Sequence, residues 1–126
     1  MQNYNSKFKI DINKRCLLFG IRIIRFCETF PQKRIAWILV DQLVRCCTSI
    51  GANIIEAKAS SSRLEYKRFY EIALKSSNES LYWLEMIKEI RMGDQKELEE
   101  IIQEATEINK MVASGVIKLK NLNSKL

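Results

Sequence analysis

Apolar residues recur every three or four positions along almost the whole chain, with only short polar breaks between the runs, which is the period of an amphipathic helix rather than a strand. The pattern predicts four helices, over about 12–28, 33–58, 63–92 and 94–119. Pro31 separates the first two, because proline supplies no amide and clashes with the preceding turn. Ser60–Ser62 separates the second and third, with Ser62 placed to cap the third and Glu65 three residues on to complete a capping box. Gly93 ends the third helix and Asp94 can cap the fourth. The tail over 120–126 is expected to fray. Long helices joined by connectors of a few residues run antiparallel to their neighbours, so the expected fold is an all-α, up-down-up-down four-helix bundle in a single domain over 1–126.

Helix two is the most informative. At 100° per residue, Ile35, Leu39, Leu43, Cys46, Cys47, Ile50, Ile54 and Ala57 form a broad apolar stripe. Beside it runs a polar line of Gln42, Arg45, Ser49, Asn53 and Glu56. The remaining arc carries little charge, whereas a surface helix of this length ordinarily shows a charged outer face. The expectation is a helix covered on more than one side. Gly51 costs about 1 kcal/mol in a helix interior relative to alanine, and close approach of another backbone would account for it.

In helix three the expected core stripe is Phe69, Ile72, Ala73, Ser76, Ser80, Trp83, Ile87 and Ile90. Glu79 falls within it, and a carboxylate there is costly unless paired. Arg45 is the natural partner, which gives an expected buried or half-buried structural network of Arg45, Ser49, Asn53, Glu56 and Glu79. The competing reading makes Glu56 and Glu79 metal ligands or acid–base groups. The chain has no histidine, and carboxylate di-metal bundles ordinarily draw on Glu-x-x-His pairs, so the structural reading is preferred; no metal and no cofactor is expected.

Helix one reads "KRCLLFGIRIIRF". Its expected inner face is Leu17, Gly20, Ile21, Ile24 and Cys27, which leaves Arg15, Phe19, Arg22, Arg25 and Phe26 pointing outward with Lys14 nearby. Arginines interleaved with aromatics suit nucleic acid, since guanidinium groups meet phosphates and rings stack on bases. Lys33, Arg34, Lys67 and Arg68 extend this patch if they share its face. The competing reading has Phe19 and Phe26 packed in a subunit interface and the arginines merely solvated.

Charge sharpens the picture. The net charge is +6, and it is unevenly placed: 94–107 carries a local −5, and 108–126 carries +4 with no acid. Such polarity permits an anionic polymer as partner. Absence of histidine removes His-based catalysis. The four cysteines, Cys16, Cys27, Cys46 and Cys47, form no CxxC pair and read as small apolar core residues. No unbroken apolar run approaches a bilayer-crossing length, and the polar N-terminus carries no signal-like segment, so a cytoplasmic protein is expected.

The residues of helices two and three also resemble a known family. "QLVRCCTSIGANIIEA" followed by "RLEYKRFYEIALKSSNESLYWLEMIKEI" is similar to bacterial four-helix bundle proteins encoded by intervening sequences in large-subunit ribosomal RNA genes, with a related branch among the accessory proteins of diversity-generating retroelements. The matched positions are Gln42, Leu43, Arg45, Cys46, Cys47, Ser49, Ile50, Gly51, Asn53, Ile54 and Glu56, then Tyr66, Phe69, Ile72, Ala73, Ser76 and Glu79. The paired cysteines stand where alanines are usual. The resemblance implies a homo-oligomer, a ring of five bundles around a channel, and no enzymatic activity. In the retroelement branch it implies binding to a reverse transcriptase and nucleic acid. Three functions follow as expectations. First is a non-enzymatic oligomeric bundle that binds RNA, DNA or a nucleoprotein; second is a protein-only scaffold; third is a carboxylate–metal enzyme.

Overall fold

The computed structural model describes residues 11–124, with side chains described through residue 121. Four helices account for nearly all of them: α1 (Ile12–Cys27), α2 (Arg34–Ala59), α3 (Arg63–Ile90) and α4 (Gln95–Ser124). Each helix packs on its neighbours in the order α1–α2–α3–α4–α1, and no diagonal pair makes comparable contact. That is the antiparallel up-down-up-down bundle that the short connectors require. α4 continues through the segment expected to fray, as far as Ser124.

The helix ends follow the local chemistry. Asp11 caps α1, accepting from the Asn13 amide at 3.2 Å. Ser62 caps α3 through the Glu65 amide at 3.1 Å, while the Glu65 carboxylate reaches the Ser61 amide at 3.4 Å, one residue earlier than a regular capping box. Asp94 caps α4, accepting from the Lys96 and Glu97 amides, both at 3.1 Å. Between α3 and α4 the chain turns through Arg91, left-handed at φ 54°, and Gly93 at φ 80°. A Cβ on Gly93 would also stand 2.6 Å from the Phe30 ring. Glycine is needed there on both counts.

The core draws on all four helices: Phe19, Ile23 and Phe26 of α1, Leu43, Cys47, Ile50 and Ile54 of α2, Leu84 and Ile87 of α3, and Leu98, Ile101, Ile108 and Val112 of α4. Each fully buried side chain of this kind contributes roughly 1.5–3 kcal/mol of transfer free energy. The α2 stripe matches expectation except for Ile35, which is exposed. Two other faces do not. In α1 the inward stripe is Cys16, Phe19, Gly20, Ile23 and Phe26, whereas Leu17, Ile21 and Ile24 face solvent. The expected inside and outside of α1 are therefore largely exchanged, although Gly20 is buried and Arg25 exposed as expected. In α3, Ile72 and Ile90 are exposed, and Ser77 and Leu84 are buried in their place.

α2 is not enclosed by its own bundle. It lies against α1 and α3 and keeps an outward strip that includes Trp37, Asp41, Thr48, Ala52 and Ile55. Gly51 is explained within the protomer: a Cβ there would lie 2.9 Å from Cys16 Cβ and 3.7 Å from its carbonyl carbon, so α1 crosses too closely for any side chain. By length and composition α2 is apolar enough to cross a bilayer, although its apolar residues do not form one unbroken run. Asp41, Arg45, Glu56 and Lys58 interrupt it, and its Leu43–Cys47–Ile50–Ile54 stripe is the bundle core.

Candidate nucleic-acid interface

The six cations expected to form one basic surface do not share a face. Arg15 and Arg22 look toward α4. The Arg15 guanidinium donates to Glu104 Oε1 at 2.6 Å and Oε2 at 3.0 Å, and to Glu107 at 2.9 Å. Arg22 donates to both carboxylate oxygens of Glu97, at 2.8 and 2.9 Å, and pairs with Glu100 at 3.3 Å. Arg15, Phe19, Arg22 and Phe26 do lie along one side of α1, as expected, but that side faces inward. The two arginines seal the α1–α4 seam over the buried rings. The sequence carried a usable signal: arginines seven residues apart on α1 meet glutamates seven residues apart on α4, at 97 and 104 and again at 100 and 107. The acidic stretch of α4 thus meets a basic neighbour within its own chain.

The remaining four, Lys14, Arg25, Lys33 and Arg34, are exposed and make no ion pair among the described residues. They divide between the two ends of the bundle. Arg25, Lys33 and Arg34 flank the α1–α2 connection, whereas Lys14 lies at the opposite end, where Lys58 pairs with Asp11 at 3.4 Å. Lys67 and Arg68, on the first turns of α3, also lie at that opposite end. The length of α2, 26 residues, separates the groups by about 40 Å at 1.5 Å per residue.

The seam has a definite pH dependence. The Arg22 hydrogen bond holds the Glu97 carboxyl below its ordinary value of 4.5. A carboxylate with a lowered folded-state pKa adds stability above its unfolded value and loses it as pH falls through the folded value. Acidification below 4.5 is therefore expected to loosen α1 from α4. Both partners are about one-third exposed, so Arg22→Gln should cost only about 0.2–1 kcal/mol at low salt and less at high salt. Urea unfolding of this variant against the unsubstituted protein, at pH 7 and pH 3.5, checks both statements: the difference between the two proteins should shrink in acid.

The expected Arg45–Glu56–Glu79 network does not form within the protomer. Arg45 is exposed and pairs with Asp41 of its own helix at 3.3 Å. Glu56 is exposed, and Glu79 accepts from Trp83 Nε1 at 3.3 Å. Glu79 lies just outside the face of α3 that packs on α2. What does join the helices is smaller. Asn53 donates to the Ser49 carbonyl at 2.8 Å and hydroxyl at 2.9 Å, and Ser76 donates to Ser49 at 2.9 Å. Asn109 links α4 to α3 through Ser77 at 2.9 Å and Asn78 at 2.8 Å. Ser76, Ser77 and Ser80 are buried, Ser76 against Ser49 of α2 and Ser77 against Asn109 of α4. Short hydroxyl side chains permit close approach while satisfying their own polar atoms. The sequence reading placed Ser76 and Ser80 as core positions but missed Ser77 and Asn109, because single serines and asparagines carry no periodic signal.

No cluster of three or more metal-capable side chains forms among the described residues. All four cysteines are free thiols. Burial pushes Cys16 and Cys27 up to about 11, and the contact with Cys46 together with burial raises Cys47 well above the ordinary range. Such thiols stay protonated near neutrality and behave as apolar packing groups.

The surface feature that stands out is apolar. Leu17, Ile21 and Ile24 of α1 and Thr48, Ala52 and Ile55 of α2 line a groove of about 190 Å³ running between the two helices. Ile55 and Leu17 are both more than half exposed. Trp37, also exposed, continues the line along α2.

The fold and its sequence have counterparts. A protein of unknown function from the S23 ribosomal protein family of Bacteroides thetaiotaomicron is 33% identical and superposes with a TM-score of 0.77, over 84% of this chain and 98% of that one. No curated protein matches. The model of the 23S rRNA-intervening sequence protein family matches residues 9–114, the whole of the bundle but the end of α4. With that match, and with a bundle whose matched helix-two and helix-three positions lie largely in or beside the core, the chain belongs to the 23S rRNA-intervening sequence protein family.

Proposed function

We propose that this protein is a non-enzymatic, self-assembling helical bundle that binds nucleic acid through cations left unpaired on its surface. The observation that carries assembly is the apolar groove between α1 and α2. A closed four-helix core needs nothing on that side, yet Leu17, Ile21, Ile24 and Ile55 are all exposed there. Contiguous apolar surface of this kind marks an interaction site. A second copy covering it would enclose α2 on its remaining side, and repetition of that contact around a ring of five accords with the family resemblance. The exposed Arg45–Asp41 pair lies along the same outward strip and would be buried with it. Free thiols and no disulfide fit a reducing, cytoplasmic setting.

Nucleic-acid binding is supported by the net charge of +6 and by Lys14, Arg25, Lys33 and Arg34, which have no carboxylate partner among the described residues. Repetition around an assembly would strengthen weak individual contacts by avidity.

Light scattering on a sizing column tests assembly. The purified chain should run at a multiple of 14.8 kDa, and Ile21→Asp should return it to the monomer with its helical content intact. A monomeric unsubstituted protein would overturn the assembly reading. For nucleic acid, binding to labelled RNA and DNA should fall steeply with salt and weaken in Arg25→Gln/Arg34→Gln. An assembled protein that binds neither polymer at low salt would leave the protein-only scaffold.

A further inference from the structure

The corner where α3 begins and α4 ends holds features that the bundle does not require. Tyr66 and Tyr70, one turn apart on α3, stack face to face with centroids 5.5 Å apart and planes 10° from parallel. The lower ring is seated on α4: a Cβ on Gly115 would stand 2.5 Å from Tyr70 Cε2, so glycine there makes room for the tyrosine. Tyr66 in turn lies over Tyr70 and lines an open cavity of about 410 Å³ together with Ser60, Ser61, Ser62, Arg63 and Leu119. Arg63 lines that cavity, and Lys67 and Lys118 are the chain neighbours of its lining residues Tyr66 and Leu119; none of the three has an ion-pair partner among the described residues. The nearest acid in sequence, Glu65, is turned to the Ser61 amide.

We infer that this corner is a binding site for single-stranded nucleic acid, with Tyr66 as the platform for an unstacked base and Arg63, Lys67 and Lys118 facing the flanking phosphates. The inference rests on the nucleic-acid reading above and gives it a place and a preference. Aromatic platforms beside unpaired cations favour single strands, because a duplex has no free base face to offer. The Tyr70–Gly115 contact holds the platform rigid, so little side-chain freedom is lost when a base stacks. The site lies at the opposite end of the bundle from Arg25, Lys33 and Arg34. The two sets of cations therefore contribute separately.

Fluorescence anisotropy with the full-length protein and labelled oligonucleotides tests this, using an RNA single strand, a DNA single strand, an RNA duplex and an abasic DNA strand of equal length. Tyr66→Ala should weaken binding to both single strands about tenfold, leave duplex and abasic binding unchanged, and be rescued by Tyr66→Phe. Arg63→Gln/Lys67→Gln should weaken all four probes and flatten the salt dependence. Single-strand binding unaffected by Tyr66→Ala overturns this inference alone, the broader reading then resting on Arg25 and Arg34. Absence of binding to every probe at low salt overturns both. Matching circular dichroism spectra for Tyr66→Ala, Tyr66→Phe and the unsubstituted protein guard against misfolding as the cause.

Discussion

Phe19→Ala is expected to destabilise the bundle by about 3–5 kcal/mol, the range for removing a fully buried aromatic ring. Phe19 is 1% exposed, and its neighbours Ile23 and Phe26 are equally enclosed, so little can collapse into the space left behind. Ile21→Ala, two residues away, should change the stability of the isolated protomer by no more than about 0.5 kcal/mol, because Ile21 is 40% exposed. The pair discriminates directly between the two ways of facing α1. Urea unfolding followed by circular dichroism, at protein concentrations low enough to hold the chain monomeric, measures both. At higher concentration Ile21→Ala should lose stability as well, since association adds to the apparent stability of the fold. Equal costs for the two variants under dilute conditions would reverse the assignment of the α1 faces.

Gly51→Leu is expected to cost about 1–3 kcal/mol, although leucine is the better helix former by most of a kilocalorie. The obstacle is the stem and backbone of Cys16, 2.9 and 3.7 Å from where the new Cβ would be. A flexible side-chain tip could rotate away, but a Cβ moves only with its helix. α1 would have to lift from α2, loosening the packing of Cys16 and Phe19. Moving the space to the other helix should recover part of the loss: in a double-mutant cycle, Cys16→Gly with Gly51→Ala should be less destabilising than the sum of its parts. Strict additivity would mean that the two helices do not meet at this point. Gly51 also lines the groove assigned to assembly, so the oligomeric state of the variant should be read alongside its unfolding.

Most of the fold was legible from local signals. Pro31, Ser62, Gly93 and Asp94 act over a few residues through amides and φ angles that the sequence specifies directly, and the helices begin and end beside them. The seven buried positions of α2 from Leu39 to Ala57 were legible because one broad stripe contrasts with a distinctly polar line. In α1 there was no such contrast. Cys16, Phe19, Ile23 and Phe26 form one apolar stripe, and Leu17, Ile21 and Ile24 form another beside it. Periodicity alone assigns either to the core. Two of the candidate cations, Arg15 and Arg22, were misplaced for the same reason, since they were put on the face opposite the wrong stripe; Arg25 is exposed as expected.

What the residues alone determined, then, is the number of helices, their approximate limits, their antiparallel order and the core face of α2. These depend on caps, breakers and periodicity, whose range is a few residues. Only the tertiary structure decided which stripe of α1 turns inward, that Arg15 and Arg22 are spent on the glutamates of α4, and that Gly51 accommodates Cys16. It also decided that Tyr66 and Tyr70 stack above Gly115, with Arg63 beside Tyr66. Those outcomes depend on which helices become neighbours and on their relative rotation, and groups some 35 to 90 residues apart settle them by competing for the same contacts.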